Sequence, residues 1–215
     1  MKPSTSGCCP VTDPTDEFLT VKDPARAETR VRGSRFIARL APVRTEPEAQ
    51  EFVHRIARKD HDASHHCYAY RLGTGREEVI RSSDAGEPSG TAGRPILESI
   101  AARGLTDVVV VVTRYFGGVK LGTGGLGRAY RECAGKALDA AGTARKVLTH
   151  EWRLRFPYPL TGEVGAVLER HGARVVDQRY GREVAWTVTV RQGRAAALRE
   201  ALEAAGRGRI EAEDG

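Results

Sequence analysis

A run of five valines at residues 108–112, within the segment LTDVVVVVTRYF (105–116), constrains the fold more than any other feature. A short, continuous run of β-branched residues is typical of a strand that is buried on both faces. The fold must therefore provide packing elements on each side of this strand.

The strand is followed by a glycine-rich segment, RYFGGVKLGTGGLGRAY (114–130), which contains six glycines. Glycine loses more conformational entropy on folding than any other residue, so this density indicates that something approaches the backbone closely. A helix is predicted next, to about residue 141. Its apolar positions share one face: Leu126, Tyr130, Cys133, Ala137 and Ala141.

Known nucleotide-binding motifs do not fit this segment. Gly122, Gly124 and Gly127 satisfy GxGxxG, but residues 116–121 separate them from the strand. The dinucleotide fingerprint instead follows its strand directly. The Walker pattern also fails, because Ala137 stands where Ser or Thr is required.

Two interpretations of the segment remain open. In the first, backbone N–H groups at the start of the following helix form an anion-binding concavity, flanked by Arg114, Lys120 and Arg128. In the second, the segment is a tight strand-to-helix connection that packs against another backbone.

A second glycine-rich loop, SSDAGEPSGTAGRP (82–95), also leads into a predicted helix. Ser89 or Thr91 is a candidate cap for that helix, whose N–H groups would attract an anion. Asp84 and Glu87 are candidate magnesium ligands. Acids before a helix more often only offset its dipole, so we expect no metal ion here.

The segment DHDASHHCYAY (60–70) contains four candidate metal ligands: His61, His65, His66 and Cys67. No second ligand pair is visible, so zinc is disfavoured. A Cys67–His nucleophile lacks any recognisable oxyanion hole. The favoured interpretation is a strand with one polar face, on which His65 and Cys67 share a side.

Composition indicates a folded protein with a net charge of +6, compatible with RNA or ribosome contact. No stretch is long and apolar enough to span a membrane. The start of the chain has no apolar secretion signal, and residues 1–27 are predicted to be a flexible leader. Four cysteines without a CxxC pair indicate a reduced, cytoplasmic setting.

Two folded domains are predicted after the leader. Residues 28–142 include the helix EPEAQEFVHRIARKD, with Ala49, Phe52, Val53 and Ile56 on one face. Residues 146–215 show the order βαββαβ, which is the ferredoxin-like plan, with RGRIEA as the last strand. The boundary is predicted near residues 142–146.

Three segments in this order and spacing resemble the signature of the Impact/YigZ family: DASHHCYAYRLG, SSDAGEPSGTAGRPIL and VVVVVTRYFGGVKLGTGGLGRAY. The resemblance covers residues 28–142 strongly. It implies an α+β protein whose first domain is a βαβ fold similar to a small-subunit ribosomal protein and to domain IV of elongation factor G. The second domain resembles domain V of that factor.

The resemblance also implies a shared surface formed by both glycine-rich loops and the strand end. Eukaryotic members of the family regulate translation initiation through a protein partner, but they carry a different accessory domain that is not seen in this chain. The predicted anion- or nucleic-acid-binding residues are Ser89, Gly90, Thr91, Gly93, Arg114, Tyr115, Gly117, Gly118, Lys120, Gly122, Gly124, Gly125 and Arg128, with Asp84 and Glu87 as supporting acids.

The favoured functional hypothesis is a translation-associated, non-catalytic protein that binds RNA, the ribosome or another polyanion, without a cofactor. Tyr115 and Phe116 would stack on bases if they were exposed. One alternative is an enzyme acting on a phosphorylated small molecule or nucleotide, with Asp84 or Glu87 binding magnesium. The other is a protein-interaction module with a hydrophobic patch on the exposed face of the second sheet.

Overall fold

The computed structural model describes residues 16–75 and 78–215, which fall into two compact units. The first unit is Phe18–Lys146, and the second is Val147–Gly215 with Asp16 and Glu17. The division lies at the end of the interval in which the sequence places a boundary. No helix in the described part of the chain is both long enough and apolar enough to cross a membrane.

The strands of the first unit are β1 (Glu17–Val21), β2 (Ala25–Val31), β3 (Ser34–Pro42), β4 (His65–Leu72), β5 (Val79–Ser83), β6 (Val108–Tyr115) and β7 (Thr143–Val147). Five of them form an antiparallel sheet in the order β2-β3-β6-β4-β5. The helix α1 (Glu46–Lys59) connects β3 to β4, and β6 lies between these two parallel strands. The arrangement is a split βαβ unit, as the resemblance implies.

The valine run forms the central strand and is buried on both faces, which confirms the prediction. Val108, Val110 and Val112 pack in the core beneath α2 (Gly93–Ala101) and α3 (Gly122–Ala141). Val109 and Val111 pack in a second core beneath α1. The sheet is therefore covered by two helices on one side and one on the other.

The predicted apolar faces of the helices are also confirmed. In α1 the buried residues are Ala49, Phe52, Val53 and Ile56, and the Thr45 side chain caps the helix by accepting from the N–H of Glu48. In α3 the five predicted positions are all buried.

The leader prediction requires correction for residues 16–27. Strand β1 pairs with β7, and β2 pairs with β3 along its whole length. In β1 only Thr20 and Val21 are buried, so the strand carries no clear alternation, and its partner lies more than a hundred residues away. The rest of the predicted leader, residues 1–15, lies outside the described residues.

The second unit contains β8 (Thr149–Phe156), α4 (Thr161–Arg170), β9 (Arg174–Tyr180), β10 (Val184–Arg191), α5 (Ala195–Gly206) and β11 (Glu211–Asp214). Its antiparallel sheet has the order β11-β8-β10-β9, so the ferredoxin-like prediction is confirmed. The last strand begins a few residues later than predicted.

Alternate residues of β8 and β10 face a single core beneath α4 and α5. Both tryptophans, Trp152 and Trp186, lie in this core. On the opposite face of the sheet, the outward residues of β8 and β10 are polar or small.

Candidate anion-binding groove

The loop at residues 82–95 uses its own carboxylate to cap α2. Asp84 Oδ1 accepts hydrogen bonds from the N–H groups of Ala92 (2.9 Å) and Gly93 (2.8 Å), and Oδ2 accepts one from Gly90 (2.8 Å). Burial acts to raise the pKa of Asp84, but these three donors outweigh it and lower the pKa overall. An external anion would have to displace this carboxylate, so this helix start is not a free anion site.

Ser89 and Thr91 do not cap α2 as predicted. The Thr91 hydroxyl instead donates to the carbonyl oxygen of Pro88 at 2.6 Å, and Ser89 is exposed. Ala92, which immediately precedes the helix, has no polar side chain, and Asp84 caps the helix start from eight residues upstream. The spacing between a capping residue in such a loop and the helix start is not fixed, so the sequence alone does not reveal the cap.

Arg114 is a buried structural residue, which corrects its assignment to an exposed anion-binding surface. Its side chain is 5% exposed and donates from Nη1 to Glu87 Oε1 at 2.6 Å. The Tyr130 hydroxyl donates to the same oxygen at 2.8 Å. Glu87 is 9% exposed and serves this ion pair, so the alternative in which it binds magnesium loses support.

The thiol of Cys67 lies in the same buried polar cluster. Its Sγ is 2.9 Å from the carbonyl oxygen of Asp84 and 3.3 Å from the Tyr130 hydroxyl. Burial is the main cause that raises the pKa of Cys67 to about 12. The thiol therefore stays protonated near neutral pH, which argues against a nucleophile.

The neighbouring histidines make local contacts. Nδ1 of His65 lies 2.9 Å from the carbonyl oxygen of Ala85, and Nδ1 of His66 lies 3.4 Å from the Thr113 hydroxyl. Within residues 16–75 and 78–215, no three His, Cys, Asp or Glu side chains are grouped so that they could hold a metal ion.

Two of the predicted glycines are required for backbone packing. A Cβ atom on Gly117 would lie 1.9 Å from the carbonyl carbon of Gly33, and one on Gly93 would lie 2.7 Å from the nitrogen of Ser83. At Gly117 the second interpretation of the segment therefore holds: the connection packs against another backbone.

The aromatic pair at the end of β6 is only partly available to a ligand. Phe116 is 49% exposed, and its ring centroid lies 5.4 Å from the Arg114 guanidinium carbon. Tyr115 is partly buried, and its hydroxyl donates to Asp62 at 3.2 Å. Burial, followed by the nearby carboxylates, raises the pKa of Tyr115.

The two glycine-rich segments meet at a groove between α2 and α3, which we call the α2–α3 groove. It has a volume of about 370 Å³. Its lining residues are Gly90, Arg94, Pro95, Glu98, Gly124, Gly127, Arg128 and Arg131. Three arginines and one glutamate give it a positive balance.

The arginines of the α2–α3 groove differ in how they are paired. Arg94 and Arg131 both form ion pairs with Glu98, from α2 and α3 respectively. Arg128 is exposed and makes no ion pair with any residue in the described ranges. It lies in the first turns of α3, where no side chain caps the helix. This end of the groove therefore combines an unpaired cation with free backbone donors.

Sequence reasoning found Gly90, Gly124 and Arg128 but missed Arg94 and Arg131. Arg131 follows Arg128 by three residues and so shares its helical face, which is a signal that periodicity could have supplied. Several predicted residues lie outside the lining: Gly118, Lys120 and Gly122 are exposed, and Gly125 is partly buried.

Comparisons with known proteins agree with this two-unit organisation. Residues 32–138 match the Impact N-terminal domain, and residues 154–209 match a domain of unknown function, DUF1949. The IMPACT family member YvyE of Bacillus subtilis (strain 168) is 35% identical over 198 residues, covering 92% of this chain and 91% of that protein. The IMPACT family member YigZ of Escherichia coli (strain K12) is 33% identical over 166 residues, covering 77% and 81%.

A solved structure described as the crystal structure of a hypothetical protein is similar to the whole chain. It has a TM-score of 0.66 and 30% sequence identity, and the match covers 93% of this chain and 98% of that chain. The similarity therefore extends across both units.

Proposed function

The chain belongs to the IMPACT family, and from that premise we propose that it is a translation-associated, non-catalytic protein that binds RNA, free or within the ribosome, through the α2–α3 groove. The observation that carries the proposal is the meeting of both glycine-rich segments beside Arg128. The translational part rests on the resemblance of the two domains to a ribosomal protein and to elongation factor G.

The chemistry of the groove suits a phosphate backbone. The N-terminus of α3 has a partial positive charge and backbone N–H groups without a side-chain cap. Glycines at Gly122, Gly124 and Gly125 keep side chains away from those groups, so a ligand can reach the backbone. Arg128 adds a full charge in the same place, and phosphate oxygens accept well from both kinds of donor.

The alternative functions lose support from particular contacts. The enzyme hypothesis relied on Asp84 or Glu87, and both carboxylates are engaged within the protein. The interaction hypothesis relied on a hydrophobic patch on the exposed face of the second sheet. That face instead carries Arg153, Arg155 and Arg179.

The test is fluorescence anisotropy of a labelled RNA hairpin against the full chain across a salt series. Arg128→Ala should weaken binding about five- to ten-fold and reduce the salt slope by about one, as expected for one lost phosphate contact. Lys59→Ala is the matched control, because Lys59 is an exposed cation on α1, across the sheet from the groove. Equal loss in both variants, or binding that ignores salt, would refute the proposal. Stabilisation by a nucleotide with magnesium in a thermal-shift assay would instead favour the enzyme alternative.

A further inference from the structure

The face of the second sheet opposite α4 and α5 has a trough along β10. It has a volume of about 340 Å³. Its floor is formed by the small outward residues Ala185 and Thr187, and the neighbouring strands supply longer charged side chains as walls. These are Glu151, Arg153 and Arg155 from β8, and Asp177 and Arg179 from β9.

Two arginines face each other across the floor of this trough. Ala185 pairs in register with Arg155 on β8 and with Arg179 on β9. Adjacent strands lie about 4.8 Å apart, so the two Cα atoms are separated by roughly 10 Å. Both long side chains can therefore reach one group held above the small side chain of Ala185.

These arginines are largely free to bind a ligand. Neither Arg153 nor Arg155 forms an ion pair with any residue that the structure describes. Arg179 pairs with Asp177, at 3.1 Å in a solvent-exposed position where such pairs contribute little. A guanidinium group without a strong ion pair can donate two parallel hydrogen bonds to the oxygens of one phosphate.

The acidic residues around the arginines narrow the choice of ligand. Glu151 and Asp177 lie in the walls, and Glu211 and Glu213 are the register partners of Arg155 and Arg153 on β11. Together they offset the positive charge of the arginines, so negative charge alone does not select a ligand here. They suit a ligand that carries amino groups as well as phosphates, since Asp and Glu accept hydrogen bonds from the cytosine amino group.

We propose that the trough along β10 binds a single-stranded polynucleotide. A phosphate would be held between Arg155 and Arg179, and the Asp177 carboxylate would accept hydrogen bonds from base amino groups. This site is separate from the α2–α3 groove and does not depend on it. Trp186 borders the trough, but it is only 7% exposed and packs in the core, so its ring offers little surface to a base. Binding therefore lacks base stacking and depends on charge and amino groups.

The test uses the full chain with Arg128→Ala, which removes the proposed contribution of the α2–α3 groove. Anisotropy is measured with labelled oligo(C) and oligo(U), each as RNA and as DNA. Arg155→Ala and Arg179→Ala should each weaken oligo(C) binding about five-fold or more. Arg170→Ala is the charge-matched control, because Arg170 is exposed at the end of α4, on the helical side of the sheet.

Uracil lacks the amino group of cytosine, so oligo(C) should bind more tightly than oligo(U), and Asp177→Asn should reduce that difference. Equal binding of RNA and DNA is expected, because no contact in the argument involves the ribose. The proposal is overturned if neither arginine substitution changes binding, if Arg170→Ala weakens it equally, or if oligo(C) and oligo(U) bind alike. Melting temperatures within about one degree of the parent confirm that these exposed substitutions leave the fold intact.

Discussion

Replacing Arg114 by methionine should destabilise the first unit rather than only weaken ligand binding. Methionine keeps most of the side-chain length but leaves the buried Glu87 carboxylate without its cation. Removing one partner of a buried ion pair costs about 3–5 kcal/mol. Glu87 keeps the hydrogen bond from the Tyr130 hydroxyl, so we expect the lower end, about 3 kcal/mol.

The loss can be measured as a fall in the urea midpoint followed by far-UV circular dichroism. A stability change of this size corresponds to a melting temperature lower by about 10 °C for a domain of this size. Hydrogen exchange measured peptide by peptide should show reduced amide protection in the 82–95 loop and in β6, because the ion pair between Glu87 and Arg114 joins these two segments.

A double-mutant cycle separates the interaction energy of the ion pair from other destabilising effects of the substitutions. Glu87→Gln leaves the guanidinium unpaired, while the double variant removes both charges and still offers Tyr130 an acceptor. The double variant should therefore be more stable than the sum of the two single losses predicts, by about 2 kcal/mol. If Arg114→Met unfolds at the same urea concentration as the parent and abolishes RNA binding, Arg114 is a ligand residue and the burial argument is wrong.

Two further predictions concern the glycine-rich loops. Gly117→Ala should lower the urea midpoint strongly, because the added Cβ would overlap the Gly33 carbonyl carbon. The control Gly118→Ala places its Cβ in open space and should cost only about 1 kcal/mol for its positive φ. Similar midpoints for the two variants would contradict the packing argument. Asp84→Ala should cost about 1–2 kcal/mol at neutral pH through loss of the cap. Because the pKa of Asp84 is lowered in the folded state, its stabilisation is present above the unfolded pKa and is lost as pH falls through the folded pKa. The difference between variant and parent, followed by denaturation at a series of pH values, should therefore shrink below about pH 4, and a constant difference would argue against a role for the charge.

Periodicity predicted the regular elements well because it reports burial directly. The valine run and the apolar faces of α1 and α3 each follow from which side chains leave water. The ferredoxin-like order of the second unit follows in turn from the sequence of strands and helices.

The candidate site was harder to predict because its contacts join residues distant in the chain. Arg114 lies near the end of β6 and has a charge, so the pattern alone favours an exposed cation. Its partner Glu87 comes from a loop 27 residues away, which follows β5, and the pairing of β5 with β4 and of β4 with β6 brings that loop over the strand end. Asp84 was expected to offset the helix dipole, with magnesium binding as an alternative, whereas its carboxylate accepts hydrogen bonds from the N–H groups of Gly90, Ala92 and Gly93.

The placement of both tryptophans in the core of the second unit has a spectroscopic consequence. Trp152 lies on β8, and Trp186 lies on β10 with its ring edge-on to Phe156 at 5.1 Å. Indole emission therefore monitors Val147–Gly215 selectively, while the first unit contributes only tyrosine and phenylalanine signals. Selective excitation of indole thus gives the second unit an optical reporter without any added label.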